Sequence, residues 1–248
     1  MGKSAIIVQA RTGSTRLPQK MTLEFGGVTV LEFILQRLKN VDEVGQVILA
    51  TTVDAGDDIL EKIAGKMQIP VYRGSVNNVL DRFYQTAVKY DVDIIIRICA
   101  DNIFLEISEF PRLLKLMQVE KYDYLANSLL DGKNLILTGT GLAVEMISFD
   151  AISKLVESNI DNYHREHVTP YFYENADKFN IHLSPVPFAV NKDMRLTLDL
   201  AEDYENLQII YSSIVPDINI TAINHYLENN PSMLETMRNI SLQQKKGR

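Results

Sequence analysis

Two kinds of apolar spacing alternate along the first half of this chain. Residues 5–9 (AIIVQ), 46–51 (QVILAT) and 93–98 (DIIIRI) are short, nearly continuous apolar runs rich in β-branched residues. That is the pattern of strands buried on both faces. Residues 71–73 read as a shorter strand of the same kind. Between these runs the spacing becomes helical. Leu31, Ile34, Leu35 and Leu38 share one face of a helix over 31–39. Val79, Leu80, Phe83, Ala87 and Val88 line one side of a helix over 77–90. A helix over 57–67 opens on Asp57 and Asp58, read as first-turn acids that complement the helix dipole. Strands and helices in strict alternation predict an α/β fold, a mostly parallel sheet with helices on both faces. Ligands of such sheets bind beyond the carboxyl ends of the strands. Segments 11–20, 74–82 and 100–102 stand at those ends.

The region 122–184 is less regular. It mixes expected strands at 124–127, 142–146 and 180–183 with helices at 149–157 and 163–174. It reads as an extension embedded in one domain, 1–248, that covers the site and contributes to a partner interface. Residues 195–198 return to strand and 201–215 to helix. Another helix follows Ile220, with Thr221 as its expected N-cap. The polar end, 245–248, is expected to fray.

Composition narrows the function classes. A net charge of -7 argues against a nucleic-acid binder, which carries a basic footprint. A nucleotide needs only a few well-placed cations, so that class stays open. Cys99 is the single cysteine and forms no internal disulfide, which fits a reducing compartment. The apolar run at 5–8 is far shorter than a secretory h-region, and no stretch reaches the roughly 20 apolar residues of a membrane helix. The expectation is a cytoplasmic protein with no membrane or nucleic-acid partner.

Chemistry concentrates in 9–20, QARTGSTRLPQK, directly after the first expected strand. Arg11 and Arg16 offer forked guanidinium groups and Lys20 a point charge. Gly13 permits close backbone approach, and Ser14 and Thr15 add short donors. A triphosphate calls for this set. Gly2-Lys3-Ser4 is no P-loop, because it precedes the strand and lacks the Gly-rich turn, and the dinucleotide fingerprint is absent too.

IVQARTGSTRLPQK resembles the signature of the SpsF-like cytidylyltransferases, relatives of the CMP-Kdo and CMP-acylneuraminate synthetases. ILATTVDAGDDIL, VYRGSVNNVLDRFYQTA, IIIRICADNIF, GLAVEMISFDAI, REHVTPYFYEN and MRLTLDLAEDYENL follow in the family's order. The resemblance implies a Rossmann-like, three-layer NTP-transferase fold, CTP as donor, Mg²⁺ and a homodimer. It matches Asp101 and Asp199 to the family's metal-binding aspartates. Each is also a plausible cap or turn residue by itself, and Glu202 and Asp203 read as first-turn acids. Transfer is expected to rest on Lys20, Arg16, Asp101 and Asp199, with the nucleotide met by Ala10, Arg11, Gly13, Ser14, Arg16, Lys20, Leu80, Asp81, Arg82 and Cys99. Cys99 is expected as a small buried neighbour of the nucleotide and not as a nucleophile. By the same resemblance, Arg165, Glu166 and His167 shape the acceptor pocket or the dimer contact, and Glu145, Arg165 and His167 are the expected acceptor contacts. His164 and His167, at helical i, i+3 spacing, form a weak metal pair with no third ligand in view.

Three departures mark this member. Gln19 stands where LPGK has Gly, Asn102-Ile103 where Cys-Pro often follows the Asp, and Ala143 where the family often reads GLDVE. The missing carboxylate at Ala143 leaves the acceptor open. Two other readings stay open: a transferase using another triphosphate with a sugar-phosphate acceptor, and a nucleotide-binding module without turnover.

Overall fold

The computed structural model describes residues 2–41 and 44–246. The expectation for the chain end therefore lies outside the described residues at 247–248. The elements in order are β1 (Ser4–Gln9), β2 (Glu24–Phe25), β3 (Val28–Thr29), α1 (Val30–Lys39), β4 (Gln46–Thr52), α2 (Asp58–Lys66), β5 (Val71–Gly74), α3 (Val79–Tyr90) and β6 (Ile94–Cys99). Then come α4 (Phe110–Glu120), β7 (Tyr124–Ser128), β8 (Glu145–Ser148), α5 (Phe149–Glu157), α6 (Asn162–His167), α7 (Pro170–Glu174), β9 (Ile181–Pro185), α8 (Ala201–Ile214), α9 (Ile220–Asn229) and α10 (Pro231–Lys246).

Seven strands form one sheet in the order β5-β4-β1-β6-β8-β7-β9. Strands β1, β4, β5 and β6 pair in parallel, β8 runs antiparallel to both β6 and β7, and β7 and β9 are parallel. The expected α/β fold with a mostly parallel sheet is therefore the fold observed. Continuous apolar runs arise because each central strand is covered twice. Ile6, Val8, Leu49, Ile96 and Ile98 face one core with α1, α2, α4 and α8. Ala5, Ile7, Ile48, Ala50 and Ile95 face the other with α3 and α5. Residues 122–184 supply β7, β8 and β9 to the same sheet. The chain runs outward from β1 through β4 to β5 and then crosses to β6 on the other side of β1, so the order reverses between β1 and β6.

Local chemistry fixes the element ends. Thr29 and Glu32 form a capping box on α1: the Thr29 hydroxyl accepts from Glu32 N at 3.2 Å, and the Glu32 carboxylate accepts from Thr29 N at 2.9 Å. Thr29→Ala is expected to destabilise the protein by about 1 kcal/mol, measured by urea unfolding. Gly45 enters β4 at φ 92°, and a Cβ there would stand 2.0 Å from the Ser4 carbonyl oxygen, so only glycine fits.

Several expectations differ from the structure. The helix expected over 163–174 is two helices, α6 and α7, separated by Val168 at φ 66° and by Thr169. Pro170 cannot donate a helical hydrogen bond, so it opens α7. The strand expected over 142–146 starts only at Glu145. Gly141 turns at φ 80°, and Val144 N donates to the Asn127 side chain at 3.0 Å. Residues 195–198 are not a ladder strand. They make a single bridge, Thr197 to Asn102, while Leu196 N and Leu198 N donate to the Thr140 and Asp101 carbonyls. Asn219, not Thr221, caps α9, accepting from Ala222 N at 2.9 Å. Helices α4 and α10 were not anticipated from the spacing.

Candidate active site

A cleft of about 370 Å³ opens at the carboxyl ends of β1 and β6, where the strand order reverses. The loop after β1 forms one wall through Ala10, Arg11, Gly13, Ser14, Arg16 and Lys20. Gly13 lines the cleft, and no protein atom lies within 4 Å of where its Cβ would stand. Nothing in the protein itself excludes a side chain there.

Asp101 follows β6, and Asp199 precedes α8. Their carboxylates converge on one point, held by the Lys20 ammonium. Lys20 Nζ donates to Asp101 Oδ2 at 2.9 Å, to Asp199 Oδ1 at 3.2 Å and to the Leu198 carbonyl at 2.8 Å. Burial works against the Lys20 charge, but the two carboxylates outweigh it and raise the pKa. Arg16 reaches Asp199 at 3.0 Å and donates to the Gln244 side chain of α10 at 3.1 Å. Arg11 pairs with Glu166 of α6 at 3.7 Å. Each of the three loop cations thus already faces a carboxylate.

The far wall is built by α3, β6 and α6. On α3, Val79 and Arg82 reach the cleft, while Leu80 is 1% exposed inside the core. Helical spacing separates them. Asp81 also stands off the cleft wall, accepting from Gln85 at 3.3 Å. Asn78 caps α3 by accepting from Asp81 N at 3.0 Å. Arg82 is buried and donates to the Ser75 carbonyl at 2.8 Å, and it makes no ion pair among the described residues. Burial and the neighbouring charge of Arg11, only partly offset by Asp57, lower its pKa to about 10. Burial pushes the Cys99 thiol up to about 11, against the pull of Arg97. Cys99 lines the cleft as a neutral thiol at neutral pH.

Of the expected acceptor contacts, only His167 lines the cleft, with Glu166 beside it. Glu145 is buried behind the wall, bound to Arg97, and accepts from the Tyr124 hydroxyl at 2.6 Å. It reaches the cleft only through Arg97, which does line it. Arg165 points away and donates to the Ile160 carbonyl at 3.2 Å. Ala143 packs in the core and is 7% exposed. The His164 ring is held between Asp161, at 2.7 Å, and Glu174, at 2.9 Å, so both of its nitrogens are engaged, and no group of three or more metal-ligating side chains occurs among the described residues.

Sequence reasoning missed three supports. Asp203, read as a first-turn acid, is 1% exposed. It accepts from Arg195 at 2.7 and 2.8 Å and from the backbone N of Asp199 and of Leu200 at 3.0 Å each, which holds the Asp199 backbone in place. Asp57, read likewise, is buried against the loop. Arg97 passed as one polar residue in an apolar strand. An arginine amid isoleucines at a strand end was the available signal, since a buried charge needs a partner.

The sequence profile of the family described as Cytidylyltransferase matches residues 5–240. The chain belongs to the cytidylyltransferase family. It is 34% identical over 238 residues to an uncharacterised protein of Methanocaldococcus jannaschii, covering 94% of each chain. It is 28% identical over 245 residues to the spore coat polysaccharide biosynthesis protein SpsF of Bacillus subtilis, covering 93% of this chain and 96% of that one. A solved cytidylyltransferase from Leptospira borgpetersenii superposes with a TM-score of 0.85 at 32% identity, covering 94% of this chain and 97% of that one. Membership makes this cytidylyltransferase a nucleotidyltransferase enzyme. No helix among its described residues is long and apolar enough to cross a membrane.

Proposed function

We propose that this cytidylyltransferase moves CMP from CTP to an acceptor oxygen with Mg²⁺, releasing pyrophosphate. The observation that carries the reading is the convergence of Asp101 and Asp199 on Lys20 under the 11–20 loop. Two hard oxygen donors face a point that already holds a cation, which suits Mg²⁺. Among the described residues there is no cluster of three such side chains, so phosphate and water would complete the coordination. When bound, Mg²⁺ supplies charge neutralisation and polarisation of the phosphate. Asp101 and Asp199 would hold it.

The protein's own groups position the rest. Arg11, Arg16 and Lys20 bind the phosphates, and Gly13 leaves room for them. The acceptor hydroxyl oxygen bonds to the α-phosphorus as the bond to the bridging oxygen breaks. Pyrophosphate takes that electron pair, and the hydroxyl proton passes to solvent. Positioning and fixed charge supply most of the rate. The acceptor class favoured is a surface-glycan or phosphonate precursor, which the transferred CMP would activate; the surface-glycan class is in line with the name carried by SpsF. A homodimer in the cytoplasm belongs to the same reading, resting on the family resemblance and on the single cysteine.

A ligand bound only by the folded state at 100 times its Kd stabilises by about 2.7 kcal/mol. CTP with Mg²⁺ is therefore expected to raise Tm by about 5–10 °C, and UTP, GTP and ATP by less. Equal shifts for all four would favour a transferase of broader donor choice. A CTP shift without pyrophosphate release from any acceptor would favour a binding module.

A further inference from the structure

The turn after β4 carries an acid that the transfer chemistry does not use. Asp57 ends a 3₁₀ turn, Ala55–Asp57, and is 1% exposed. Its carboxylate is saturated with donors. Oδ1 accepts from Thr12 N and from Thr12 Oγ1, both at 2.7 Å. Oδ2 accepts from Thr51 Oγ1 at 3.0 Å, from Thr52 N at 3.2 Å and from Thr52 Oγ1. One side of the carboxylate thus holds the end of β4 and the other holds the phosphate-side loop. Burial favours the neutral acid, but the Thr52, Thr12 and Thr51 donors outweigh it and keep the pKa below the ordinary range.

Thr12 is where both ends of that loop meet. Its carbonyl accepts from Ser14 N at 2.8 Å and from Gln19 N at 3.3 Å. Gln19 turns in the left-handed region, at φ 55°, immediately before Lys20. Holding Thr12 therefore holds Gly13 and Ser14 on one side and Lys20 on the other. The turn is itself braced, since Arg73 donates to the Asp54 carbonyl at 2.7 Å and pairs with Asp58 at 2.6 Å. Gly56 allows the close approach: a Cβ there would stand 3.1 Å from Thr12 Oγ1.

We propose that Asp57 is a positioning residue for nucleotide binding, fixing Thr12 and through it the two ends of the 11–20 loop. This rests on the functional reading above and deepens it. Asp57 is buried and does not line the cleft. It presets the spacing between Gly13 and Lys20, so that ordering the loop is not charged against binding.

The test is calorimetric titration of wild type, Asp57→Asn, Thr12→Val and the double variant with CTP–Mg²⁺ and, separately, with inorganic pyrophosphate–Mg²⁺. Thr51→Val serves as the structural control, because it removes a donor from Asp57 on the strand side only. Asp57→Asn turns an amide toward N–H donors that cannot accept. It is expected to weaken both ligands by at least about tenfold, the magnitude of one lost charge-assisted hydrogen bond. Thr12→Val is expected to weaken both by about threefold or more, and the double variant to bind no worse than Asp57→Asn. Thr51→Val is expected to keep wild-type affinity. Wild-type affinity in Asp57→Asn, or independent multiplication of the two effects, would overturn the proposal. If Asp57→Asn does not fold, Thr12→Val decides alone, and wild-type affinity there overturns it. A wild type that binds pyrophosphate but not CTP defeats the donor assignment and leaves this role intact. A wild type that binds neither defeats both.

Discussion

Asp101→Ala is expected to lower kcat/KM for CTP-dependent pyrophosphate release by at least about 100-fold, the scale on which single electrostatic contacts to a developing charge are lost. The carboxylate is one of two that converge on Lys20, at 2.9 Å, and its side chain is 26% exposed. Its removal therefore strips charge from the cleft without opening the core. Lys20 keeps Asp199 at 3.2 Å and its bond to the Leu198 carbonyl, so the loop stays tethered. The fold should survive with a small change in Tm, and the loss should appear in turnover. Asp101→Asn should behave alike, because the amide keeps the shape and loses the charge. Near wild-type pyrophosphate release from either variant would remove Asp101 from the reaction.

Glu145→Ala should produce the largest loss of stability. Glu145 is 1% exposed and bound to Arg97, which is 8% exposed. Burial works against the Arg97 charge, and the Glu145 carboxylate bound to it outweighs that burial and raises its pKa. Deleting the acid leaves a buried guanidinium without a counter-ion, typically 3–5 kcal/mol. It also strips the Tyr124 hydroxyl of its acceptor at 2.6 Å. For a chain of this length that is roughly 6–20 °C in Tm, readable by scanning calorimetry. Glu145→Gln retains an oxygen for Tyr124 and should lose less. A Glu145→Ala protein as stable as wild type would show that water or a rearranged side chain compensates Arg97.

How far the sequence reaches can be judged residue by residue. The runs that became β1, β4 and β6 were legible because both of their faces are buried, and burial is written directly as apolar residues. The 11–20 loop was legible because three cations and a glycine after a strand have few other uses. Pro170 was a visible break in the helix expected over 163–174, because Pro opens a helix and does not continue one. Residues 195–198 have strand-like spacing, yet a strand needs a partner ladder, and spacing alone carries no information about partners.

The acids divide along the same line. Asp101 and Asp199 were matched by the family's motifs, and Asp101 also stands in a segment at the end of an apolar run. Asp57 and Asp203 stood in equally ordinary first turns and passed for acids that complement a helix dipole. Asp57 meets Thr12 across 45 residues of chain, and Asp101 meets Lys20 across 81. The sequence by itself determined the layered α/β fold and the segment that would face a phosphate, because periodic burial and local cation density are properties of neighbours along the chain. Only the tertiary structure decided which carboxylates hold the loop, which pair across the cleft and which lie behind its wall. Those pairings are set by the packing of distant strands, and the charges settle where desolvation and opposite charge balance.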